Sequence, residues 1–418
     1  MGMVEQPART QNIKAIADFY RSGIKDTAQA VGIELEHTLT RKDGTQVAYH
    51  GDFGAEQLLE AFADDFPEPM MDGATIVGRA GRQGTVTLEP AAQFELSAGP
   101  FRALDDAAAN LSAFEGHLRA LCEAHDIRVE TPGYNPYHRA IDLELIPKRR
   151  YAMMNEYLGA LSMFGVCMMR GSASTQVSID YHSEQDCLRK LRLTSACAPL
   201  FALICDNAPV FETKPRTHQL VRTKIWQHCD PDRCGIVPGV FDRAFTLEEY
   251  AAYVLDTPAI VEQTPHGERF TTKTFGEIFS DTLMDVPAVE HAVSMLFNDV
   301  RLKTYLEIRP ADAMPAAYVL AYTALIKGLF YNNASLDALD SLFDGVDADA
   351  CACAKDALMQ SGYHATVYQS PVSVLADELM SIATTGLSDH ERPYLAPLAE
   401  LVADRTTLAD RAERERGL

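Results

Sequence analysis

Apolar residues Ile13, Ile16, Phe19, Tyr20 and Ile24 recur at helical spacing, which predicts an amphipathic helix over residues 10–30. The period then changes. From Val31 onward Ile33, Leu35 and Leu39 alternate with Glu34, Glu36 and Thr38, the pattern of a strand with one apolar face. A helix is predicted over 55–62, followed by two β-prone runs, Ala74–Gly78 and Gly84–Glu89, at hairpin spacing around a glycine-rich turn. Such an antiparallel signal argues against a purely parallel, doubly wound sheet. Helical periodicity returns over 101–125, 151–163 and 184–205, the last opened by Ser183 as a cap, and a strand is predicted over 172–180. Residues 206–240 hold Pro209, Pro215, Pro231, Gly235 and Pro238 together with the only tryptophan, Trp226, and read as loop. After a strand over 305–309 the pattern is helical, ending in a charged stretch over 405–416 that reads as a solvated surface helix.

Composition narrows the function. A chain of 418 residues, 47% hydrophobic and 23% charged, buries a large core, and its net charge of −22 opposes binding to nucleic acid or anionic membranes. Residues 148–233 run against that balance, with twelve Lys/Arg and eight Asp/Glu, and are where recognition of phosphate or carboxylate is expected. The start has neither a leader layout nor a hydroxyl residue placed for acylation of Gly2, and no apolar run approaches the roughly 18 residues of a membrane span, so a cytoplasmic protein is expected. Nine cysteines without a framework read as free thiols; Cys229 with Cys234, and Cys351 with Cys353, lack the partners of a structural zinc site. There is no G-x-x-x-x-G-K-[ST] loop, no H-E-x-x-H and no G-x-S-x-G, and Gly78–Gly84 is wrongly spaced for a dinucleotide fingerprint.

What remains is a pattern of acids. Side chains two apart on a strand share a face, so Glu34 with Glu36, and Glu89 with Gln93 and Glu95 provided Pro90 does not break the register with a bulge, lie opposite their apolar neighbours; Ser174, Gln176 and Ser178 form a polar set, as do Glu307 and Arg309. A solvated sheet face accounts for any one of these strands. Repeated same-face acids repel one another, however, and their recurrence suits a cation between them. Carboxylates plus an amide oxygen form a hard site for Mg²⁺ or Mn²⁺, completed by phosphate oxygens, with Arg309 on phosphate.

Seven stretches, in order, are Gly32-Ile-Glu-Leu-Glu-His, Leu88-Glu-Pro-Ala-Ala-Gln-Phe-Glu-Leu-Ser, Ile146-Pro-Lys-Arg-Arg-Tyr, Thr175-Gln-Val-Ser-Ile-Asp, Val221-Arg-Thr-Lys-Ile-Trp, Asp230-Pro-Asp-Arg-Cys-Gly and Arg301-Leu-Lys-Thr-Tyr-Leu-Glu-Ile-Arg. In these the chain resembles glutamate-cysteine ligases of the plant and proteobacterial type, whose core is similar to that of glutamine synthetase. The resemblance runs over about 28–335, with a weaker helical likeness to about 405. It implies an α+β fold in which a six-stranded antiparallel sheet curls into a funnel wrapped by helices. A single catalytic domain over 1–418 is implied, its core at 28–335 and a helical region at 336–418. The implied reaction joins the γ-carboxylate of glutamate to the amine of cysteine through γ-glutamyl phosphate, with ATP as co-substrate and Mg²⁺ or Mn²⁺ as cofactor, as the first step of glutathione-type thiol synthesis. A related ligase with another amine acceptor, or an idle binding protein on this fold, are the alternatives.

By position the resemblance makes Glu34, Glu36, Glu89, Glu95, Gln176 and Glu307 metal ligands and gives Glu36, Glu307 and Arg309 the catalytic roles. Arg309 and Arg150 fall to the nucleotide phosphates; Arg222 falls to the α-carboxylate of glutamate, with Gln176 and Arg170 beside the substrate. Two departures stand out. Gly171 and not an arginine lies five residues before Gln176, with Arg170 one residue earlier, and the usual Glu-Pro-Gly-Gly-Gln reads Glu89-Pro-Ala-Ala-Gln.

Overall fold

In the computed structural model, residues 7–27 and 29–417 are described; the amino-terminal residues on which the leader and acylation readings rest lie outside them. A nine-stranded sheet organises the chain: β1 Val31–Arg41, β2 Glu68–Asp72, β3 Thr75–Gly81, β4 Gly84–Leu88, β5 Phe94–Phe101, β6 Ile127–Glu130, β7 Thr175–Ile179, β8 Val300–Leu302 and β9 Leu306–Ile308. Its order is β8-β9-β7-β1-β5-β4-β3-β2, with β6 continuing along the far end of β1, and every pairing is antiparallel. The expected six strands are thus exceeded, since β2, which carries no alternation, and the short β6 and β8 gave no period of their own to read.

One face of the sheet is dry. Ile33 and Leu35 of β1, Val177 and Ile179 of β7, and Leu306 and Ile308 of β9 are buried there. Each large apolar side chain so covered contributes about 1.5–3 kcal/mol. Helix Ala316–Phe330 packs on β1 and β7, and helix Glu184–Ile204 on β8 and β9. The latter begins where Ser183 Oγ accepts the Asp186 amide, as its capping role requires. The other face carries the acids, and the helix Arg149–Leu161, braced by the hairpin Pro258–Thr264/Gly267–Thr274, leans over it.

Three sequence expectations need correction. The first helix stops at Arg21, where Ser22 and Gly23 turn, and does not continue to residue 30. The supposed loop over 206–240 contains the helix Val221–Gln227, too short for periodicity to register among prolines and glycines, entered through Leu220 in the left-handed region at φ 54°. The last helix starts at Leu408 and is not simply solvated: Asp410 and Glu413 turn inward to the buried Arg216. Among the described residues no helix is long and apolar enough to cross a membrane.

Candidate active site

Strand register brings the acids together. Glu34 of β1 lies opposite Gln176 of β7 and Ser97 of β5, while Glu36 lies opposite Glu95. Glu307 of β9 lies opposite Ser178 on one side and Arg301 of β8 on the other, so all these side chains share one face. Glu89 reaches the same place differently from the sequence expectation. Residues Glu89–Gln93 form a turn, closed by the Glu89 amide donating to the Gln93 carbonyl at 2.9 Å, so Glu89 and Glu95 do not sit on one continuous strand. Gln93 stays at the same cavity wall and donates to the Ser172 carbonyl at 3.0 Å. Ala92 holds φ 64° in this turn. Its place in the motif is one where the family pattern has glycine, which adopts that conformation without the roughly 1–2 kcal/mol that a Cβ adds.

Glu34, Glu36, Glu89, Glu95 and Gln176 line a cavity of about 340 Å³ together with Lys148, Arg150, Arg222, Arg301, Lys303 and Arg309, whereas Glu307, expected among the metal ligands, is fully buried outside that lining. The polar walls are of opposite sign. On the acid wall Glu36 accepts from Ser174 Oγ at 2.6 Å and from the Ser174 amide at 3.1 Å, and Glu95 accepts from Thr87 and Ser97 hydroxyls at 3.0 and 3.1 Å. The Glu34 carboxylate makes no hydrogen bond among the described residues. Burial, reinforced by neighbouring carboxylates, pushes Glu34 and Glu95 up to about 8 and Glu89 up to about 7. Burial raises Glu36 as well, against its bonds from Ser174.

Glu307 is treated in the reverse way. It is fully buried, and Arg301 and Lys303 each reach it at 2.7 Å and Arg309 at 3.0 Å. Burial alone would raise this carboxyl, but the three cations outweigh it and hold it well below the usual carboxylate range. Arg309 is fixed further by donating to Gln176 Oε1 at 2.6 Å and by lying 5.7 Å from the Trp226 ring centre. Arg150 reaches Ser294 Oγ at 2.8 Å, and Lys148, whose ammonium burial holds below its ordinary value, lies over the Tyr151 ring at 4.2 Å.

The donor chemistry suits a hard divalent cation: buried (Glu36, Glu95) and half-buried (Glu34, Glu89) oxygen ligands whose negative charge is under-compensated. A closed cage is not what they form. Among the described residues no group of three or more His, Cys, Asp or Glu side chains is arranged to hold an ion, so the expected six-ligand set does not converge on one point. Arg170 also departs from expectation. It points away from the cavity, donating to Asn155 Oδ1 at 2.9 Å and the Leu143 carbonyl at 2.8 Å. Gly171 beside it has the Tyr134 ring against its Cα, 2.5 Å from where a Cβ would stand, so no larger side chain fits there without displacing Tyr134.

The sequence profile described as glutamate-cysteine ligase family 2 matches residues 30–414, nearly the whole chain. The chain belongs to this family. Curated relatives include the chloroplastic glutamate–cysteine ligases of Arabidopsis thaliana, 30% identical over 368 residues, and Solanum lycopersicum, 30% identical over 367 residues. In each case the match covers 85% of this chain and 70% of the relative. A glutamate–cysteine ligase from Francisella tularensis, solved in complex with AMP, shares the fold at a TM-score of 0.55 and 13% identity, covering 91% of this chain and 83% of that one.

Within this glutamate-cysteine ligase family member, sequence reading left Lys148, Arg301, Lys303, Ser174 and Trp226 without roles. The cations had a legible signal: Arg301-x-Lys303 alternates as Glu307-x-Arg309 does, and antiparallel pairing of the two runs places Arg301 on Glu307.

Proposed function

We propose that the chain joins the γ-carboxylate of glutamate to the amine of cysteine at the expense of ATP, and that the reaction takes place between the acid and cation walls of the sheet's polar face. One observation carries this reading: four under-compensated carboxylates and six cations line a single cavity in a chain of net charge −22. A second cavity of about 820 Å³, lined by Lys25, Arg102 and Tyr305, opens on the other side of Glu34, which borders both. ATP would then extend from one cavity and glutamate from the other, meeting beside Glu34.

Carboxylates drawn from Glu34, Glu36, Glu89 and Glu95, one or two to an ion, would hold Mg²⁺ or Mn²⁺ together with phosphate oxygens and water, with the Gln176 amide adjacent, and the metal would supply charge neutralisation on the transferring phosphoryl. The chain's own cations complete the field. Arg309, seated by Glu307 and Gln176, presents fixed positive charge to the phosphoryl oxygens, and Arg150 and Lys148 face it from the helix Arg149–Leu161. Arg222 anchors the α-carboxylate of glutamate. The γ-carboxylate attacks the terminal phosphoryl, ADP departs, and the amine of cysteine opens the acyl phosphate with release of phosphate. No protein nucleophile is needed.

Mass spectrometry of products from ATP, magnesium, glutamate and a mixture of amino acids tests this; γ-glutamylcysteine is expected, and a γ-glutamyl product with a different amine would reassign the acceptor. Replacing Glu36 or Glu307 by Gln is expected to abolish ADP release. Unchanged turnover in Glu36→Gln would refute the assignment of the acid wall, and unchanged turnover in Glu307→Gln would refute the role of the carboxylate that seats Arg309.

A further inference from the structure

Arg222 does not stand alone. Its Nη1 donates to the Ala311 carbonyl at 2.9 Å and to Asp312 Oδ1 at 3.3 Å, making Asp312 the only carboxylate paired with it among the described residues. The pair is out of water, with Arg222 3% and Asp312 4% exposed. Asp312 is in turn held from a second direction, its Oδ2 accepting the Asn207 amide at 2.8 Å. Gly133 closes a third side: a Cβ there would lie 2.1 Å from Asp312 Oδ2, so this carboxylate fits because position 133 has no side chain. Ser174, which grips Glu36, forms a β-bridge with Asp312 itself. The Asp312 carboxylate therefore ties Arg222 to the backbone at Asn207, while the Asp312 backbone is pinned beside the acid wall through its bridge to Ser174.

A guanidinium on a flexible stem binds a carboxylate well only when its fork is already aimed. Arg222 Nε is buried without a hydrogen-bond partner among the described residues, which leaves that edge of the fork free for a ligand while Nη1 is occupied by Asp312 and the backbone. We infer that Asp312 is a positioning residue: it aims Arg222 at the α-carboxylate of the amino acid that is activated, and so sets affinity for that substrate without touching it. This rests on the reading of Arg222 given above.

Steady-state kinetics of Asp312→Asn, Arg222→Lys and the double variant test it, with melting temperatures measured alongside. Asp312→Asn is expected to raise the KM for glutamate about tenfold, as loss of a charge-assisted hydrogen bond does, while kcat and the KM for ATP stay within about twofold. In the Arg222→Lys background the same change should add less than about twofold, because its effect passes through Arg222. Gly133→Ala provides a second route, crowding the carboxylate without altering charge, and should shift the glutamate KM in the same direction should Asp312→Asn fail to fold. Equal effects of Asp312→Asn in both backgrounds, or parallel losses in kcat and both KM values, would overturn the positioning role. A glutamate KM unmoved by Arg222→Lys would instead overturn the assignment of Arg222 itself.

Discussion

Glu34 and Glu307 lie on the same face of the same sheet, two strands apart, yet their surroundings are opposite. Glu307 sits inside a clasp of Arg301, Lys303 and Arg309; the Glu34 carboxylate has no hydrogen bond among the described residues and feels the like charge of Glu307 and Glu95. The difference separates two uses of a buried acid. A carboxylate compensated by the chain is part of the framework and aims the cations around it. One that burial and like charge push up to about 8 leaves its compensation to whatever binds.

The largest expected effect comes from cutting the framework acid. Glu307→Gln leaves Arg301, Lys303 and Arg309 facing one another in a dry site, which should destabilise the fold by about 3–5 kcal/mol as well as remove activity. Glu34→Gln removes a repelling charge, so activity should fall about 100-fold or more while stability holds or rises by on the order of 1 kcal/mol. Urea unfolding of both variants checks the contrast; equal loss of stability in the two would erase it.

The pH dependence of stability sharpens the same comparison. Glu34, Glu95 and Glu89 bind protons more tightly folded, at about 8, 8 and 7, than at the ordinary 4.5 of an unfolded glutamate. Their contribution is therefore fully present below about pH 4.5 and is lost as pH rises through 7 to 8. Glu307, held down, acts with the opposite sign: its contribution is present above the ordinary 4.5 and disappears only as pH falls through its lowered value. The melting temperature of the ligand-free chain should thus drop by several degrees between pH 5.5 and 8.5, at about 1.4 kcal/mol for each tenfold difference in proton affinity. Glu95→Gln should flatten that slope, and added Mg²⁺ should raise the melting temperature more at pH 8.5 than at pH 5.5. A melting temperature flat across this range would show that the acids are compensated after all.

How far the sequence foretold this site depends on which residues are asked about. The alternation in Gly32-Ile-Glu-Leu-Glu placed Glu34 and Glu36 on a polar face because one strand carries its own period, and β1 does run Val31–Arg41. Glu89 and Glu95 read as a same-strand set only so long as Pro90 leaves the register intact; the turn over Glu89–Gln93, with Ala92 at positive φ, breaks it, and the two acids meet by folding back. Arg222 and Trp226 were noticed as residues but placed in loop, since a seven-residue helix offers under two turns of pattern. The clasp on Glu307 was legible as paired alternation yet passed over, because which strand lies beside which is a long-range fact that local period does not contain. Arg170 misled for a different reason: it stands six residues before Gln176 where the family's arginine stands five, and the turn of backbone at Cys167–Gly171 points it away from the cavity.

The mildest test uses Trp226, the only tryptophan, whose ring lies under Arg309 and 6.0 Å from that of Phe297. Because Arg309 is already seated by Glu307 and Gln176, the ring adds packing and a cation–π term of roughly 0.5–2 kcal/mol without being the sole support. Trp226→Phe should consequently lower kcat/KM by about threefold to tenfold and leave the Glu307 clasp and the melting temperature nearly unchanged. In the unaltered chain, the fluorescence of this single indole should change on titration with ATP and Mg²⁺, and the change should vanish in Glu307→Gln once Arg309 has lost its seat. A loss as deep as that of Glu307→Gln would mean that the ring, and not the buried carboxylate, is what aims Arg309.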